Sequence, residues 1–73
     1  MSDYGVALFY TTSSVLRAEK LLARGGIVVK LIPTPRQFSS DCGIALRFDW
    51  GKQGEVQAAL EEADIEFEDI LQL

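Results

Sequence analysis

The chain has 73 residues, 48% of them hydrophobic and 25% charged, which suits one small folded domain over 1–73 and leaves no room for a second. It carries a net charge of -4, no histidine and one cysteine, which excludes an internal disulfide, the Cys-His and Ser-His nucleophile pairs, and a zinc site; no metal or other cofactor is expected. No apolar run approaches the about 20 residues needed to cross a bilayer, and MSDYGVALFY has an acid where a signal peptide needs a basic region, so the chain reads as cytoplasmic and without a membrane association.

Tyr4 to Tyr10 is a short apolar and aromatic run in which both alternating sets are apolar, the pattern of a central strand. Thr11, Thr12 and Ser13 then offer side-chain oxygens to cap a helix over about Ser14 to Arg24. Val15, Ala18, Leu21 and Leu22 fall on one face of that helix, and Gly25-Gly26 ends it. Ile27 to Ile32 is β-branched and reads as a second strand, stopped by Pro33, which lacks a ladder donor. Ile44 to Phe48 is a third strand, and Asp49-Trp50-Gly51 a turn. Val56, Ala59, Leu60 and Ala63 make a helical stripe over Glu55 to Ala63. Ile65 to Leu73 alternates apolar and acidic residues and reads as a last strand near a sheet edge.

The order β-α-β-β-α-β is the ferredoxin-like α+β arrangement. Right-handed crossovers give a four-stranded antiparallel sheet in the order 4-1-3-2, with both helices on one face.

Between the second and third strands lies Pro33 to Gly43, PTPRQFSSDCG, with both prolines and the only cysteine. Thr34-Pro35 has the form of an N-cap followed by the first residue of a single helical turn. The topology brings Cys42 beside Tyr10-Thr11-Thr12 and the N-terminus of the first helix, whose unsatisfied N–H groups carry about half a positive charge. Such a field favours a thiolate over a thiol, as does a cation such as Arg36; the carboxylate of Asp41 opposes it. A cysteine outside a disulfide is often only core filling. Against that reading, Asp41, Gly43 and the Ser39-Ser40 pair suggest a solvated loop, and the N–H of Gly43 could hydrogen-bond a sulfur anion. Ser39 and Ser40 have no base to make them nucleophiles.

The segments Ala18-Glu19-Lys20, Leu31-Ile32-Pro33-Thr34-Pro35-Arg36 and Ser39-Ser40-Asp41-Cys42-Gly43 resemble the selenium/sulfur carrier protein-like family, a small bacterial domain of unknown function. The resemblance runs from about Tyr4 to the C-terminus. It implies that Cys42 transiently holds sulfur or selenium, as a persulfide or selenosulfide. Arg36, Ser39, Ser40 and Gly43 would shape its loop, and the topology, not the resemblance, adds Thr12 as a binding candidate beside the sulfur. The pair Glu19-Lys20 falls mid-helix, away from the sulfur, where packing or docking suits it better. The chain lacks the Cys-Pro-x-Pro motif of the sulfurtransferases that relay persulfide from cysteine desulfurases.

The expected function is therefore a carrier that takes sulfur or selenium from a desulfurase-like donor and yields it to an acceptor enzyme, without turnover of its own. The alternative is a non-catalytic binding or regulatory module that docks on a larger protein or pairs with itself as a homodimer. Charge segregation suits docking. Arg17, Lys20, Arg24, Lys30, Arg36 and Arg47 precede Phe48, whereas Asp49, Glu55, Glu61, Glu62, Asp64, Glu66, Glu68 and Asp69 follow it. Nucleic acid is excluded as a partner by the acidic balance and by a third strand without base-stacking aromatics.

Overall fold

The computed structural model describes residues 3–38 and 42–73. Its elements are β1 (Tyr4–Leu8), α1 (Thr12–Arg24), β2 (Val29–Pro33), β3 (Ile44–Asp49), a 3-10 turn (Trp50–Lys52), α2 (Gln53–Glu62) and β4 (Asp69–Gln72). The strands form one antiparallel sheet in the order β2-β3-β1-β4, which is 4-1-3-2 read from the opposite edge.

Strand parity sorts the side chains into two layers. Ala7, Leu46 and Phe48, joined by Phe9, face Val15, Ala18 and Leu22 of α1 and Val56 and Leu60 of α2. Each large apolar side chain buried there contributes about 1.5–3 kcal/mol. Val6, Leu8 and Ala45 point to the reverse face, where Ile32, Phe38, Leu71 and Leu73 pack on them. The double apolar alternation of β1 thus has a cause: the strand is covered on both sides, with Phe38 of the β2–β3 connection reaching over the face the helices leave open.

Both helices end in the same way. After α1, Ile27 N–H bonds Leu22 C=O (2.9 Å) and Gly26 N–H bonds Ala23 C=O (3.1 Å), with Gly26 at φ +83°. After α2, Ile65 N–H bonds Leu60 C=O (2.9 Å) and Asp64 N–H bonds Glu61 C=O (3.2 Å), with Asp64 at φ 60°. These are Schellman caps, in which a left-handed residue lets the chain satisfy the last carbonyls.

The boundaries depart from the expected ones for local reasons. The helix begins at Thr12 rather than Ser14, because Thr11 is its cap and accepts the Ser14 N–H. Pro33 belongs to β2, opposite Ile44, since an edge strand tolerates a residue without a donor. The turn after β3 is the 3-10 turn, capped by Asp49 on the Gly51 N–H at 3.0 Å. The last strand starts at Asp69, not Ile65. Ile65 is spent on the α2 cap and is buried in the helix-side core.

Gly5 is dictated by packing. A Cβ there would lie 2.9 Å from Phe48 Cζ and closer still to the Trp50 ring. Those two rings stack with centroids 6.2 Å apart.

Candidate functional site

Thr34 pairs with Gly43 across the mouth of the β2–β3 connection, its N–H bonding the Gly43 carbonyl at 3.0 Å. Its hydroxyl donates to the Cys42 carbonyl at 2.8 Å. These two bonds extend the β2–β3 pairing beyond Pro33 and fix the backbone on both sides of the Cys42–Gly43 peptide. Thr34 does not cap a helical turn, the role its place before Pro35 offers. Instead, the turn is closed by Phe38 N–H on the Pro35 carbonyl at 3.0 Å, and the Thr34 hydroxyl serves Cys42.

Cys42 has the parity of Ile44, Leu46 and Phe48, so its side chain points to the helix side of the sheet. There the sulfur meets the first turn of α1. The Thr12 hydroxyl lies 3.7 Å from Sγ, within hydrogen-bond reach of sulfur, and either atom can donate. Thr12 is the first residue of α1, the end that carries the helix's partial positive charge. The expected juxtaposition of cysteine and helix end is therefore present.

The solvated position suggested by the neighbouring residues is not. Cys42 is only 4% exposed and belongs to the helix-side core. The physical reason is alternation: Gly43 is exposed, and Cys42 is directed inward like every second residue of β3 after it. A polar neighbour in sequence says little about a side chain that points the other way.

The remaining candidates divide. Gly43 is exposed, and a Cβ there would meet nothing within 4 Å among the described residues. Arg36 is exposed on the Pro35–Phe38 turn. Ser39 and Ser40, with Asp41, lie outside the described residues. Tyr10 remains 46% exposed just before the Thr11 cap, and Leu16, 42% exposed, follows Thr12 by one helical turn. The sequence offers Thr34 as a cap and not as a partner of Cys42. The signal was there: once Pro33 opposes Ile44, Thr34 must oppose Gly43.

Glu19 and Lys20 line a groove of about 460 Å³ with Ala23, Gly26, Ile27, Val28 and Val29. It sits between α1 and the start of β2. Cys42 is at the other end of the sheet, since Val29 opposes Phe48 whereas Cys42 precedes Ile44. Among the described residues, no group of three His, Cys, Asp or Glu side chains is placed to hold a metal ion, and no helix is long and apolar enough to cross a membrane.

No curated protein and no solved structure matches the chain. A family model does, over residues 4–72, from the first residue of β1 to the last of β4. The chain belongs to the family described as Putative Se/S carrier protein-like.

Proposed function

We propose that Cys42 is the carrier atom's site and that the protein relays sulfur or selenium as a persulfide or selenosulfide. The observation that carries this reading is the cysteine's place against the first turn of α1, with the Thr12 hydroxyl at Sγ, in a chain of the Se/S carrier family. For sulfur, the Cys42 thiolate attacks the outer sulfur of a donor persulfide, such as that of a cysteine desulfurase. The donor's S–S bond breaks, its cysteine leaves as a thiolate, and Cys42 becomes a persulfide. An acceptor thiolate repeats the step and frees Cys42. Each step exchanges one S–S bond for another, so no oxidant, reductant or general base is consumed. The first turn of α1 supplies a hydroxyl and partial positive charge beside the sulfur that carries the anion.

With Cys42 only 4% exposed and its side chain turned into the core, its sulfur does not meet a second protein's sulfur in this conformation. On this reading the donor reaches it after the Thr34 bonds to Cys42 and Gly43 part, a local opening that involves two hydrogen bonds. Burial would then protect the loaded persulfide from water and stray thiols.

The same burial favours a second reading, in which Cys42 is core filling and the domain is a non-catalytic docking module. Incubation with a cysteine desulfurase and cysteine separates the two. The carrier reading expects Cys42→Ser to abolish sulfur acceptance while the fold is retained. The docking reading expects wild type to accept none.

A further inference from the structure

On the sheet face away from the helices, Lys30 of β2 stands directly opposite Arg47 of β3. Directly opposed residues of an antiparallel pair hold their Cβ atoms about 4.5–5.5 Å apart, and like charges so placed repel. Among the described residues neither has an ion-pair partner; the one ion pair is Lys52–Glu55, elsewhere on the surface. Arg47 is also held in place, with its guanidinium 4.3 Å from the centroid of the Tyr4 ring. Arg47 is half-buried and Lys30 exposed, and both line a groove of about 240 Å³ with Tyr4, Val28, Val29, Phe48 and Asp49. Asp49 brings a carboxylate to this groove; its Oδ1 accepts the Gly51 N–H at 3.0 Å, and among the described residues it forms no ion pair with either cation.

Two cations face each other in an acidic protein, one pinned on an aromatic ring and neither in an ion pair among the described residues. Such a local rule, broken without local compensation, marks places kept for function. We propose that this groove binds a phosphate group, with Arg47 as the oriented fork and Lys30 as the second charge. A doubly charged oxyanion neutralises both cations and removes their repulsion, and the planar guanidinium offers it two parallel donors. The site lies at the end of the sheet away from Cys42 and does not rest on the carrier reading.

The test is titration of the isotopically labelled protein with inorganic phosphate and, separately, glycerol phosphate, followed by backbone amide shifts at constant ionic strength set with chloride. The expected result is saturation on one curve at Tyr4, Val28, Lys30 and Arg47. Lys30→Gln should weaken binding about tenfold, the loss of one charge-assisted hydrogen bond, and Arg47→Gln, which loses the two-donor fork, by more than that. Unchanged spectra elsewhere establish that the variants fold, and Lys30, being exposed, provides the variant least able to disturb the core. Equal affinity for the two probes assigns the site to the free ion, and tighter binding of the ester assigns it to a small phosphomonoester; both support the proposal. Shifts that rise linearly without saturating, that saturate at Arg17 and Arg24 instead, or that persist in both variants would overturn it.

Discussion

Replacing Thr34 by valine removes one hydroxyl, keeps the side chain's shape, and acts directly on the way Cys42 is held. The lost bond is the 2.8 Å contact from Thr34 Oγ1 to the Cys42 carbonyl, which is partly buried. A bond of this kind contributes about 1 kcal/mol net. That is roughly a fivefold change in the ratio of closed to open forms. Valine is as suited to an extended segment as threonine, so the backbone bond from Thr34 N–H to Gly43 should survive. Alkylation of the lone thiol by iodoacetamide, followed by intact mass, reads the open population when opening and closing are fast relative to the reaction. Folded wild type should react much more slowly than the same protein in denaturant, because Cys42 is buried in the helix-side core. Thr34→Val should react about fivefold faster than wild type when folded and equally fast when unfolded. A folded wild-type thiol that reacts as fast as the unfolded one would refute the burial. A Thr34→Val rate equal to wild type would refute the view that this bond holds the site closed.

Thr11→Ala removes the α1 cap that accepts the Ser14 N–H at 3.2 Å and should lower stability by about 1 kcal/mol, measured by urea unfolding. Because that first turn holds Thr12 against the sulfur, the same variant should also quicken alkylation, and Thr11→Ser should restore both values. Gly5→Ala forces a methyl into the Phe48 and Trp50 rings and should lower stability by about 1–3 kcal/mol, seen as a lower urea midpoint at an unchanged slope. A Gly5→Ala protein as stable as wild type would mean that the rings part without penalty.

The strand and helix order was legible because each element carries a short, local signal. The hydroxyl run at Thr11 to Ser13 marks the start of α1, Gly25-Gly26 marks its end, and the Val56-Leu60 stripe marks α2. What was hidden depends on partners distant in sequence. Ile65 looked like the first residue of a strand because the acids after it alternate, but the Schellman cap of α2 claims it, and Asp64 rather than a glycine takes the left-handed position. The direction of Cys42 depends on register: with Leu46 opposite Ala7 on the helix side, the parity of β3 turns Cys42 inward whatever its neighbours are. The Thr34–Cys42 bond needs Pro33 opposite Ile44, a pairing no single stretch announces. The placement of Cys42 beside Thr12 follows from topology alone, since the end of β1 and the start of β3 lie at the same end of the sheet.

The carrier reading stands or falls on whether Cys42 takes up a chalcogen in the folded protein. Intact-mass analysis of wild type and Cys42→Ala after incubation with a cysteine desulfurase and cysteine measures that directly. One sulfur should add to wild type, be removed by reductant, be absent from Cys42→Ala, and add faster in Thr34→Val. No added sulfur in wild type or in Thr34→Val, with the desulfurase active on a control acceptor, would contradict the carrier reading and leave Cys42 a core residue of a docking module.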